Sequence, residues 1–290
     1  PSDGVSAFFD SLPEILASAN LRKVIAAIVQ AYRHRCPVIM AIGAHVIKCG
    51  LSPLIIDLMK RGIITAIAMN GASAIHDYEI SLVGATSEDV AEGLKDGSFG
   101  MVKETAEAFQ VASGRGRKEG IGLGRAMGDK ILEEKNTYHD LSILAWSARL
   151  NMPATVHVAL GTDTIHMHPN ISGHDLGEAS HIDFKILSSV VSGLEGGVWL
   201  NIGSAVIMPE VFLKALCLVR NLGHKVENFL TVNMDMIQHY RPQANVLKRP
   251  TQQGYAITGH HEIMIPVLRI GILSKLGAGE LARAGNPQLR

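Results

Sequence analysis

The sequence predicts an α/β fold: Rossmann-like, with a mainly parallel sheet and helices on both faces. Three observations carry this. Short apolar runs recur at residues 37–42, 63–69, 154–160 and 197–202, and their near-continuous hydrophobic character suits strands covered on both faces. Helical patterns separate them, as parallel strands require. Each run is followed by small or polar residues, where a doubly wound sheet places its ligands.

The elements follow in order. Residues 12–35 read as one long helix, with Ile15, Leu16, Ala19, Val24, Ile25, Ile28 and Val29 near helical spacing. Cys36-Pro37 ends it, because proline disfavours the α conformation before it. Pro37–Ile42 is a buried strand. Ser52-Pro53 opens a helix with serine as N-cap and proline at the first helical position. That helix stops at Gly62, and Ile63–Met69 is the next strand. Helices are expected near 86–95, 99–112, 120–134, 138–150, 180–194, 209–222 and 260–275, with strands at 154–160, 197–202 and 229–232. The four apolar runs are expected to be neighbouring central strands of a single α/β nucleotide-binding domain spanning 1–290, with an N-terminal helical segment over about 1–35.

Composition narrows the function. Of 290 residues, 47% are hydrophobic and 19% charged, enough apolar surface for a core and too little charge for a disordered chain. Lys+Arg and Asp+Glu balance at 27 each, so no basic excess points to nucleic acid or a membrane surface. Cys36, Cys49 and Cys217 lie far apart, which argues against a disulfide scaffold and for reduced thiols. No run approaches the roughly 18 apolar residues of a membrane span, and no leader pattern is visible at Pro1-Ser2-Asp3. A cytoplasmic location is expected.

The segments after the strands are Gly43-Ala44-His45, Asn70-Gly71-Ala72-Ser73, Gly161-Thr162-Asp163-Thr164 and Gly203-Ser204-Ala205. Small residues permit close backbone approach to a nucleotide. Neither the glycine fingerprint of ordinary dinucleotide folds nor a phosphate-binding P-loop is present.

In their order these segments resemble deoxyhypusine synthase and its relatives over about residues 36–270. Met69–Asp77 (MNGASAIHD) is similar to the family's Thr-Ala-Gly-Gly-Val-Glu-Glu-Asp loop. Asn151–Thr164 resembles its Ile-Pro-Val and Thr-Asp-Gly segment, and Gly196–Val206 its strand leading into a glycine triplet. Asn233 and Arg241-Pro242 fall where the family has Asn-Thr-Ala and Ala-Arg-Pro. The resemblance implies a deoxyhypusine synthase-like fold, NAD as cofactor and a homo-oligomer, dimer or tetramer. It implies that Asn70, Gly71, Ala72, Asp163, Gly203, Ser204 and Asn233 lie at the nucleotide.

The departures are as informative. A family glutamate is replaced by His76, and the acidic run before Arg-Pro is reduced to Met234-Asp235-Met236. The lysine that carries the family's imine should fall at Pro250; the nearest is Lys248. A polyamine needs a carboxylate for each buried ammonium. The expected activity is therefore on a small amine or related substrate, and not deoxyhypusine synthesis. Asp77 and Glu79 are the best remaining carboxylates for a cationic group.

Three further residues are candidates for chemistry. Lys248 beside Arg249 and Val246-Leu247 could be a Schiff-base nucleophile, its pKa lowered by like charge and burial; a solvated loop lysine is the plainer reading. His166 and His168 stand in a segment with four histidines, His166 to His181. In an extended chain the pair would share one side, fit for zinc or for acid–base work alongside His76; histidines bonded to backbone or water are the alternative. His260-His261-Glu262 reads as a helix N-terminus. The expected function is an NAD-binding enzyme. A metal-dependent hydrolase built on His166 and His168, or a non-catalytic nucleotide-binding protein, is the alternative.

Overall fold

In the computed structural model, residues 3–277 and 280 are described. Two helices come first, α1 (Asp3–Ser11) and α2 (Leu16–His34), followed by strand β1 (Val38–Ile42). The chain continues through α3 (Ala44–Lys48), α4 (Ser52–Lys60), β2 (Ala66–Asn70) and α5 (Gly71–Val83). A helical insertion follows: α6 (Val90–Asp96), α7 (Lys103–Glu119), α8 (Gly122–Glu134) and α9 (Ile143–Arg149), before β3 (Ala154–His157). Then come α10 (Gly173–Ser192), β4 (Val198–Ile202), α11 (Ile207–Asn221), β5 (Leu230–Asp235), the single turn α12 (Tyr240–Pro242), β6 (Gly254–Thr258) and α13 (His261–Lys275).

The six strands form one sheet in the order β3-β2-β1-β4-β5-β6, and every pairing is parallel. The four apolar runs are neighbours, as expected, but β3 is an edge strand and not a central one. β6, with its partly exposed GYAIT, forms the other edge and carries no continuous apolar signal.

Both faces of the sheet are covered. Along β1, Val38, Met40 and Ile42 join the larger core with α2, α4, α5, α8 and α13. Ile39 and Ala41 face the smaller core with α10 and α11, as the two-residue period of a strand requires. The smaller core is anchored by Trp199 stacked on Phe212, ring centroids 4.1 Å apart.

The local rules hold with shifts of a few residues. α2 begins at Leu16, not Leu12, and ends in Arg35 with φ +59 before Cys36-Pro37. Ser52 is the first helical residue of α4 rather than its cap, with Pro53 inside the first turn. The segment Met69–Asp77, likened to a family loop, instead enters helix α5 at Gly71, because the Asn70 side chain accepts the Ser73 N–H at 2.9 Å and caps the helix.

Candidate functional site

The strand order reverses direction from β1, so the switch point lies between β1 and β4. Their carboxyl ends meet backbone to backbone. A Cβ on Gly43 would sit 1.9 Å from the Gly203 carbonyl oxygen. The Gly203 N–H donates to the Met234 carbonyl at 3.1 Å, and its φ of +65° suits glycine. Ser204 is buried, and its hydroxyl accepts the Met208 N–H at 3.2 Å near the start of α11. Beneath it, Asn201 Nδ2 donates to the Ser204 carbonyl at 2.9 Å and to Asn233 Oδ1 at 2.7 Å. Asn233 Nδ2 in turn donates to Gln238 Oε1 at 2.7 Å. Gly203, Ser204 and Asn233 are therefore brought together, with Asn233 supporting the loop from within the core.

A second cluster forms at the ends of β2 and β3. Gly71 opens α5, and a Cβ there would lie 2.1 Å from Asp163 Oδ2. The absent side chain lets the carboxylate rest against the helix start. Asp163 is buried, and Oδ2 has no hydrogen-bond partner. Burial pushes its pKa up, against the pull of His166 and the Ala72 N–H.

Asp163 also lines a cavity of about 240 Å³ with Lys48, Ala72, His76, Glu79 and Glu88. His76 Nδ1 contacts the Thr86 hydroxyl and lies 3.3 Å from Glu79 Oε2, and the Thr86 hydroxyl donates to Glu79. This chain fixes the imidazole as a proton-transfer group is fixed by an orienting partner.

The histidine-rich segment folds differently from an extended chain. Thr164–Met167 is a 3-10 turn, in which residues two apart no longer share a side. His166 Nδ1 accepts the Gly161 and Asp163 N–H groups, each at 3.1 Å, so its proton resides on Nε2. His168 Nε2 contacts the Gly100 carbonyl at 3.2 Å. His174 and His181 are exposed on α10. Among the described residues no group of three or more His, Cys, Asp or Glu side chains is arranged to hold a metal, so the expected zinc at His166 and His168 finds no support.

Lys248 is exposed at the end of a π-helical turn, Gln243–Lys248. That turn leads to the start of β6: the Thr231 hydroxyl donates to the Val246 carbonyl at 2.7 Å, and Gly254 packs on the Leu247 backbone. The connection thus carries Lys248 toward the opposite end of the sheet from His76 and Asp163. Asp77 is also not a site group. It is fully buried and accepts from the Ser142 hydroxyl and the Ile143 and Leu144 N–H groups at 2.6, 2.8 and 3.1 Å, capping α9.

Two buried histidines carry no site role in the sequence analysis: His157 is not singled out, and His261 reads only as part of a helix N-terminus. His157 closes β3 beside Asn70; it is buried, with Nε2 2.9 Å from the Thr155 hydroxyl oxygen, and burial pushes its pKa down to about 3. His261 begins α13 but is buried against Gly203. Nothing local distinguishes either one, because their burial is set by the sheet.

No family model matches the sequence, and no curated protein matches it. Solved structures do. A conserved LOR/SDH protein from Methanococcus maripaludis S2 is 17% identical over 95% of this chain and 73% of its own, with a TM-score of 0.56. AgrE, in a ternary complex with ornithine and NAD+, is 12% identical over 88% of this chain, with a TM-score of 0.58. This chain spans about a third of AgrE, 33%. A protein assigned as a deoxyhypusine synthase from Entamoeba histolytica is 11% identical over 93% of this chain and 91% of its own, with a TM-score of 0.52. No described helix is long and apolar enough to cross a membrane. The chain therefore has the α/β fold of deoxyhypusine synthase-like proteins, as its post-strand segments imply.

Proposed function

We propose that this chain binds NAD across the carboxyl edge of its sheet and acts on a small amine-type substrate in the adjoining cavity. The observation that carries the reading is Asp163. Its buried Oδ2 lacks a donor and lies over Gly71 at the start of α5. Ribose hydroxyls are the donors an acidic residue receives in dinucleotide sites, and the helix start favours a phosphate nearby. Asn70, Gly71, Ala72, Gly203 and Ser204 would complete the cradle, and the NAD bound by AgrE, which shares this fold, supports the choice.

Bound NAD would supply the hydride acceptor. The chain's own residues would do the rest. His76, held through Thr86 and Glu79, would take the substrate proton. Lys48, Glu88 and Asp163 would orient a small polar substrate. Of the three carboxylates lining the cavity, Glu79 accepts from the Thr86 hydroxyl, Glu88 accepts the Gly100 N–H, and Asp163 is given to the nucleotide, while Lys48 adds a positive charge; that set does not suit a polyamine's several ammonium groups, so deoxyhypusine synthesis is not proposed. Lys248 is too far removed to hold an imine there.

Isothermal titration with NAD+ tests the reading: millimolar or tighter binding is expected, lost in Gly71→Val. No binding by the wild type removes the proposal, and binding without turnover of any amine would leave a non-catalytic nucleotide-binding protein. Assembly as a dimer or tetramer belongs to the same proposal; Ile237 and Tyr240, 59% and 77% exposed beyond β5, are apolar surface for it. Sedimentation velocity checks this.

A further inference from the structure

A cavity of about 710 Å³ opens between α5, α7 and α8, a size that small-molecule sites commonly have. It is separate from the cavity at Asp163, although α5 walls both. Tyr78 and Leu82 line this one, and His76 and Glu79 line the other.

Helical spacing sets its lining. Glu104, Glu107, Ala108 and Val111 recur at i, i+3, i+4 and i+7 along α7, so they share one face. Lys130 and Glu134 stand one turn apart on α8 and pair at 2.7 Å. Lys103 answers Glu107 from the rim at 3.3 Å. Among the described residues, the Glu104 carboxylate has neither an ion pair nor a hydrogen bond.

Two buried polar groups complete the lining: Tyr78 is 3% exposed and Asn136 5%. The Ser81 hydroxyl spends its one hydrogen on the Tyr78 carbonyl at 2.6 Å, so toward Asn136 it can only accept, from Nδ2 at 2.8 Å. That fixes the amide and leaves Asn136 Oδ1, which has no partner, for the cavity. The Tyr78 hydroxyl donates to Glu134 Oε2 at 3.4 Å, and its oxygen can still accept. Burial first, then Glu134 and Glu104, push the phenol's pKa up, as a negative field does.

We propose that this cavity is a second ligand site, for a small organic cation: a primary ammonium on a short apolar stem. The groups left unspent are acceptors. An ammonium brings three donors and a charge, the complement of the Glu104 carboxylate and of the Tyr78 and Asn136 oxygens. Leu82, Ala108 and Val111 offer apolar surface to the stem. Lys130 already shows this chemistry, laying its own ammonium on Glu134. A metal ion fits less well, because among the described residues no three His, Cys, Asp or Glu side chains converge to hold one. An anion would meet three carboxylates. The carboxylates are partly exposed, so binding is modest and screened by salt. The proposal does not require the nucleotide reading.

The test is a titration of the whole chain with n-butylammonium chloride, followed by amide NMR shifts. Millimolar binding should move signals at 78–82, 104–111 and 130–136, and should weaken about three- to tenfold from low to high salt. Glu104→Gln should weaken it roughly three- to tenfold, and Lys103→Ala, which frees Glu107, should tighten it roughly twofold. Butanol, the same stem without the charge, should leave these signals unmoved. Equal binding by butanol, unchanged affinity in Glu104→Gln, or no shift at roughly 50 mM overturns the proposal. So does a response confined to 72–76 and 162–164 and lost in Asp163→Asn, which would put the amine in the other cavity.

Discussion

Buried carboxylates occur in two regions of this molecule, and they differ in what closes over them. Around the helical insertion, Asp77 of α5 and Asp183 of α10 tie its helices to the rest of the fold. Asp183 Oδ2 accepts the Gly124 N–H at 2.9 Å and the Val156 N–H at 2.8 Å, joining the start of α8 to edge strand β3. Its other oxygen is sealed against Gly122, where a Cβ would lie 2.0 Å away. At the carboxyl edge, Asp163 is also buried with an unpartnered oxygen, but it lines an open cavity beside Lys48 and His76. A buried polar atom that is sealed off must be satisfied by its own fold or neutralised. One beside a cavity can be satisfied by a ligand. The first region is construction and the second is the proposed site.

The largest effects should fall in the first region. Asp183→Ala leaves two buried N–H groups unpaired and should cost about 2–5 kcal/mol in urea denaturation. Asp77→Ala, which uncaps α9, should cost about 1–3 kcal/mol. In the second region the order reverses. Asp163→Asn keeps the shape and removes a desolvated charge, so stability should move by less than about 1 kcal/mol. NAD+ affinity should fall roughly ten- to a hundredfold through loss of a charged hydrogen bond. A large loss of stability in Asp163→Asn would merge the two regions and break the comparison.

The fold was legible where burial on both faces forces continuous apolar sequence: β1, β2, β4 and most of β5 stand out for that reason. β6 did not, because an edge strand with partly exposed residues needs no such run. α5 was hidden because its start, Asn70-Gly71-Ala72, doubles as a strand-end loop, and its cap is a side-chain bond. The proposed site was legible as a set of small residues after strands, since close approach excludes side chains; Gly71 against Asp163 and Gly43 against Gly203 show that close approach. Side-chain geometry was not. His166 and His168 looked like a pair only if the segment were extended, and His261 looked like a helix start because its burial comes from Gly203 and β5.

A smaller and finer distinction is the pH dependence of stability. Burial raises Asp183 to about 8, with backbone donors opposing, and Asp77 to about 6. The folded state then holds protons that the unfolded state has released. Their contribution falls as pH rises from about 4 through these values. His157 acts in the opposite sense. Its folded value near 3 makes its contribution present above about 6.5 and lost as pH falls toward 3. Thermal denaturation from pH 4 to 8 should therefore show Asp183→Asn flattening the alkaline side and His157→Gln the acid side. The same slopes in both variants as in the wild type would show that neither group is buried as described.

The most direct test of the central claim, that the carboxyl edge is the NAD site while the buried carboxylates around the helical insertion are scaffold, is hydrogen–deuterium exchange with and without NAD+. The account predicts slowed exchange in the segments at 43–46, 70–73, 161–166 and 203–206, with no change at 122–124 and 142–144 around Asp183 and Asp77. Protection confined to the helical insertion, or no protection anywhere at saturating NAD+, would contradict it.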